Sequence, residues 1–204
     1  MVVITQDAHD YYDKRSTFWK KYYKVAKSYE DYLEDSVQAN PSDVMRWNDS
    51  MSRIPDLDSD QVKRLQGFNR ELNVLMYSGI WCGDCARQGP LLKKVVDSCD
   101  SNVNLRFIDR KFSHELQDEL RILGALRLPM VVFLSEDFWE VERYGERTLS
   151  VYRSKAAREI GRGVDQGILV PSARKKELEE WVDIFERVLI MLRLSPQLRR
   201  RYGD

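Results

Sequence analysis

With 204 residues, 43% of them hydrophobic, the chain is long enough to bury a sizeable core and reads as one elaborated domain. Lys and Arg number 33 against 33 Asp and Glu, so no net charge draws the whole protein to nucleic acid or an anionic membrane. Three cysteines, two of them in one Cys-x-x-Cys, do not make the framework of a disulfide-stapled secreted domain, and no leader or membrane-spanning run is visible, so a cytoplasmic, reducing location is expected.

From Asp10 to Leu33, the residues Tyr11, Phe18, Tyr22, Val25, Tyr29 and Leu33 recur at helical intervals, which predicts one amphipathic helix. Lys14, Arg15, Lys20, Lys21, Lys24 and Lys27 make its wet face basic. Three uses compete for the aromatic stripe: packing on the main domain, a homodimer contact, and a nucleic-acid surface. Packing is preferred, because Phe18, Trp19, Tyr22 and Tyr23 suit a buried stripe with lysines outside, and neither nucleic acid nor membrane is expected as a partner. Asn40-Pro41 starts a short helix through Met51, and Asp58 caps another that Gly67 ends.

A strand over Leu72–Ser78 leads into Trp81-Cys82-Gly83-Asp84-Cys85, and Leu91, Leu92, Val95 and Val96 then follow helical spacing. A Cys-x-x-Cys at a helix start places the first sulfur beside free backbone N–H groups and the positive end of the helix dipole, where a thiolate is stabilised. Val103, Leu105 and Phe107 alternate with polar residues in a second strand. Ser113 caps a helix bearing Leu116 and Leu120, with Gly124 at its exit. Leu128–Leu134 is a strand led by Pro129, and a turn at Glu136-Asp137 returns it through Trp139 to Gly145. Thr148–Ile160 reads as a helix, Gly161, Gly163 and Gly167 as a loop before Pro171, and Leu178 to Leu192 as a long helix stopped by Ser195-Pro196. Arg199-Arg200-Arg201 reads as a solvated basic tail.

This order of elements resembles the thioredoxin family, and so do particular residues: the Trp-Cys-Gly-x-Cys run, Pro90 where that family kinks its redox helix, Pro129 where it has a cis-proline, and Gly145 after the last strand. The resemblance covers Leu72 to about Gly145. It implies an α/β thioredoxin-like fold, a central mixed sheet flanked by helices, with residues 1–70 as an N-terminal helical extension on the core, 71–147 as the core, and 148–204 completing the same domain. It further implies Cys82 as attacking thiolate, Cys85 as resolving thiol, and Trp81, Leu128 and Pro129 as the rim on which substrate docks. No cofactor is implied. The partners implied are a disulfide-bearing protein or small molecule and a separate reductase or low-molecular-weight thiol.

Two departures narrow this reading. Met76 stands where the family has a buried acid, and Leu105 at the position matched to the accompanying lysine, so slower proton transfer from Cys85 is expected. Asp84 occupies the place of the family's proline or histidine. Close to Cys82 it raises that thiol's pKa and favours a reductant over an oxidant; pointed at solvent it acts only on helix stability. A zinc site is not expected, because Cys99, His9 and His114 supply no second ligand pair. Cys99 reads as a buried filler and Asp109 as a turn former. The competing function is a binding or adaptor protein that keeps the fold with weak or no redox activity.

Overall fold

The computed structural model describes residues 15–159 and 173–203. In chain order these form α1 (Ser16–Val25), α2 (Tyr29–Val37), α3 (Pro41–Ser52), α4 (Ser59–Leu65), β1 (Leu72–Ser78), α5 (Gly83–Val96), β2 (Val103–Asp109), α6 (His114–Glu119), β3 (Arg121–Ile122), β4 (Ala125–Leu126), β5 (Met130–Ser135), β6 (Glu140–Gly145), α7 (Leu149–Glu159), α8 (Ala173–Leu194) and α9 (Pro196–Tyr202). The main sheet has the order β2-β1-β5-β6. Its β1–β2 pair is parallel, whereas β5 runs antiparallel to both β1 and β6. Helices flank this mixed sheet, which is the thioredoxin-like architecture. The central strands β1 and β5 are buried along their whole length, as expected of strands covered on both faces.

The expected single helix over Asp10–Leu33 is two helices, and Tyr11 lies outside the described residues. The break has a nonlocal cause. Lys27 leaves the helical path to pair with β2, its N–H donating to the Phe107 carbonyl at 2.9 Å and its carbonyl accepting from the Phe107 N–H at 2.7 Å. The chain then restarts at Ser28, whose hydroxyl accepts the Asp31 N–H at 3.0 Å and caps α2. Trp19, Tyr22, Tyr23, Tyr29 and Tyr32 are all buried in the same core as the sheet. Of the other members of the stripe, Phe18 is partly buried against that core and Val25 is exposed.

Three other differences are local. Gly124 does not end α6; with Leu123 it forms the two-residue turn of the β3–β4 hairpin, both residues having positive φ (51° and 73°), the pattern such hairpins require. The basic tail is the helix α9, capped by Ser195 with Leu198 buried. It is held by the Tyr202 hydroxyl donating to Asp137 at 3.0 Å and by Arg201 lying 3.4 Å from the same carboxylate. On β2, the residue opposite Met76 is Phe107, and Leu105 faces Val74. The proposed glycine loop at 161–167 and Pro171 lie outside the described residues.

The contact that seats α5 is Trp47 of α3. Its indole N–H donates to the Ile80 carbonyl at 3.0 Å, one residue before the Trp81 that opens the motif. Its ring covers Gly89 so closely that a Cβ there would fall 2.3 Å from the ring. Trp47 is fully buried among Tyr29, Tyr32 and Phe107, with ring centroids 5.6 to 6.0 Å away, so it cannot swing aside. Gly89→Ala is therefore expected to destabilise the protein by about 1–3 kcal/mol, the usual cost of overpacking a fixed core. Chemical denaturation of the two proteins measures it; equal midpoints and slopes would contradict the packing described.

Candidate functional site

Cys82 is the N-cap of α5. Its extended backbone turns the side chain back over the first turn, so that the sulfur accepts the Cys85 N–H at 3.4 Å. Cys85 sits one turn deeper and is completely buried, whereas Cys82 is partly exposed. The two thiols are pushed in opposite directions. The Cys85 thiol beside it, together with backbone N–H groups of Cys85 and Asp84, lowers the Cys82 pKa to about 7, against partial burial and the Asp84 charge. Burial raises Cys85 well above the ordinary thiol value, and the neighbouring Cys82 adds to this, while the Ser78 hydroxyl pulls the other way. An accessible acidic thiol thus stands over a buried, protonated one.

Asp84 does not point free into solvent. Its carboxylate pairs with Arg87 at 3.0 Å, one turn along α5, and with Arg147 at 2.5 Å. Arg147 also pairs with Glu146, which α5 holds in place because the Gln88 side chain donates to the Glu146 carbonyl at 2.6 Å. Asp84 still raises the Cys82 pKa, as expected from its proximity, while two guanidinium groups pair with its carboxylate.

The Leu128–Pro129 peptide is cis, and both residues are buried. Pro129 lines a small cavity with Gln88, Glu146 and Arg147, which brings it beside the segment that reaches Asp84. Gly145 admits no side chain, since a Cβ would lie 1.9 Å from the Met130 sulfur. Trp81 is 44% exposed. Its carbonyl accepts from Arg46 at 3.2 Å, and the Arg110 guanidinium lies 5.1 Å from its ring centroid. Met76 is fully buried between Phe107 and Val131, in an apolar setting. Cys99 lies beyond the far end of α5, roughly 20 Å along a helix of this length. Its thiol donates to the Val95 carbonyl at 3.3 Å, and burial raises it to about 12. Among the described residues no group of three or more His, Cys, Asp or Glu is arranged to hold a metal ion, and no helix is long and apolar enough to cross a membrane.

The family model described as Thioredoxin matches residues 26–157. The chain belongs to the thioredoxin family. Two solved structures share its fold. One is a protein of unknown function from Pseudomonas aeruginosa, 20% identical with a TM-score of 0.61. The other is an HIV epitope-scaffold, 18% identical with a TM-score of 0.59. In each case the alignment covers 84% of this chain and 96% of the other, and at such identities the likeness is one of fold. No curated protein matches this sequence.

Within this thioredoxin-family chain, sequence reasoning passed over Arg87, Arg147, Ser78 and Glu177. Arg87 carried a usable signal, standing three residues after Asp84 on one helix. Arg147 and Glu177 carried none, since only the folded chain brings the segment after β6 and α8 to α5. Glu177 is 2% exposed and lies 3.6 Å from Arg87 without a hydrogen bond to it. Burial raises its pKa from 4.5 to about 7, against the pull of Arg87.

Two outcomes are expected. Asp84→Asn removes a charge that opposes the Cys82 thiolate, so the pH midpoint for alkylation of Cys82 should move below its starting value near 7; an unchanged or higher midpoint would remove Asp84 from the electrostatics of the sulfur. For Glu177, the folded pKa lies above the unfolded one. The folded protein therefore keeps a proton that the unfolded chain has released, and stability falls as pH rises from about 4.5 through about 7. The loss is on the order of 3 kcal/mol. Glu177→Gln should flatten that fall, as read from denaturation midpoints at pH 5 and pH 8; parallel falls in both proteins would contradict it.

Proposed function

We propose that this protein catalyses thiol–disulfide exchange, with Cys82 as nucleophile and Cys85 as resolving thiol, working as a reductase. The observation that carries the reading is the asymmetry of the pair: a partly exposed Cys82 with its pKa lowered to about 7 at the start of α5, above a fully buried Cys85. The Cys82 thiolate attacks one sulfur of a substrate disulfide, forms a mixed disulfide and releases the other sulfur as a thiolate that takes a proton from solvent. Cys85 then loses its proton and attacks the Cys82 sulfur. The bond to substrate breaks, the second thiol leaves carrying a proton, and a Cys82–Cys85 disulfide remains. A separate dithiol reductase or low-molecular-weight thiol restores the pair.

The moderate acidity of Cys82 favours the reductase direction, because strong oxidants hold a far more acidic thiol whose reduced state is heavily stabilised. With Met76 apolar, Ser78 is the side chain that favours ionisation of Cys85. Resolution is expected to depend on pH well above neutrality. The proposed docking rim is formed by Trp81, which precedes Cys82, and the cis Leu128–Pro129 segment.

The wild-type protein is expected to reduce a model disulfide such as bis(2-hydroxyethyl) disulfide in the presence of a recycling reductant, and Cys82→Ser to lose the activity. Cys85→Ser should accumulate a mixed disulfide at Cys82 visible as a mass adduct. Equal rates for wild type and Cys82→Ser would leave the adaptor reading in place.

A further inference from the structure

One flank of the motif carries a charge arrangement that the exchange reaction does not itself require. Arg46 of α3, Arg53 at the end of that helix, Arg87 of α5 and Arg174 of α8 converge on an open groove of about 300 Å³ that reaches Gly83, the residue next to Cys82; Asp49 is the carboxylate among its lining residues. Such a volume is at the small end of ligand sites.

Like charges gathered in this way repel, and three of them are held there by specific contacts. Arg46 is fixed by Asp43 at 2.6 Å and by the Trp81 carbonyl at 3.2 Å. Arg87 is held by Asp84 and Glu177. Arg174 donates to the Ser50 carbonyl at 2.7 Å. Burial lowers the pKa of Arg174, and the charges of Arg53 and Arg87 lower it further against the pull of Glu177. The Arg53 backbone N–H closes the end of α3 on the Ser50 carbonyl at 3.2 Å, while its guanidinium has neither a hydrogen bond nor an ion pair among the described residues. Guanidinium groups carry five donors each, so those held by one or two contacts keep donors to spare. A carboxylate entering this groove would relieve the repulsion and gain charge-assisted hydrogen bonds.

We propose that the arginine groove binds a carboxylate carried by the disulfide substrate, so that the protein selects acidic disulfides. The inference rests on the exchange chemistry assigned to Cys82 above. It supplies what that chemistry lacks, a means of discriminating between disulfides. Carboxylates are the anions that accompany cysteine-derived disulfides, in small peptides and in acidic protein segments alike.

Three disulfides of nearly equal length separate charge from shape: 3,3′-dithiodipropionate with two carboxylates, bis(2-hydroxyethyl) disulfide with none, and cystamine with two ammonium groups. The wild type is expected to prefer them in that order by kcat/KM. In the double variant Arg53→Gln/Arg174→Gln, the ratio of dianionic to neutral rates should fall about tenfold, mainly through KM, as loss of one or two charge-assisted hydrogen bonds implies. Raising ionic strength should shrink the same ratio in the wild type. Peptide disulfides flanked by glutamate or by glutamine distinguish the source: a preference confined to the small probe assigns a low-molecular-weight substrate, and one confined to the peptide assigns an acidic protein segment. Equal ratios in wild type and double variant overturn the proposal while leaving exchange activity intact.

If the neutral disulfide is not reduced at all, the exchange reading falls, and the groove is judged separately by alkylation. Cys82, located by peptide mapping, should react with iodoacetate relative to iodoacetamide faster in the wild type than in the double variant. Identical ratios there overturn the groove as an anion site.

Discussion

The indole of Trp47 joins three parts of the molecule that the sequence keeps far apart. It donates to the Ile80 carbonyl, packs directly on Gly89, and closes an aromatic cluster with Tyr29, Tyr32 and Phe107. The first contact fixes the turn into the cysteine motif, the second fixes the rotation of α5, and the third anchors both to the sheet. The geometry at Cys82 therefore depends on a residue of the N-terminal helices. Those helices are part of the scaffold of the site, and the family match, which begins at residue 26, embraces most of them.

Electrostatics around the motif follow one rule: charge is placed near the sulfurs and then balanced nearby. Asp84 opposes the Cys82 thiolate, yet Arg87 and Arg147 hold it. Glu177 is buried against Arg87 and carries the desolvation penalty of that position. The two cysteines differ for a simpler reason. One sits where backbone N–H groups converge and solvent reaches, the other where neither water nor a counter-charge is at hand. The position of each sulfur along a single helical turn thus sets which of them ionises.

Much of this was legible in the sequence because the signals were local. Asp58 and Ser113 cap the helices they were expected to cap, and the alternation at Val103, Leu105 and Phe107 gave β2. The proline-led strand and its return through Gly145 follow from residue types within a few positions of one another. What escaped was nonlocal. Nothing near Lys27 indicates that its backbone pairs with Phe107, eighty residues on, and helical periodicity runs straight through the break. The arginine triplet of α9 looks solvated until Asp137 and Trp139 of the hairpin are set beside it. Arg147, Arg174 and Glu177 are ordinary surface types whose roles exist only once the segment after β6, α8 and α5 meet.

The bridge between Lys27 and Phe107 has a further consequence. With the order β2-β1-β5-β6, strand β2 is an edge of the sheet, and its outward backbone groups at Phe107 are satisfied by a single residue of the N-terminal region. That residue acts as a guard against strand-on-strand association, the route by which open edges seed aggregates. A chain shortened past α2 would lose aromatic packing and also bare an adhesive edge, so its failure would show as self-association as well as a lower melting point. The helical preface thus covers one point of the β2 edge.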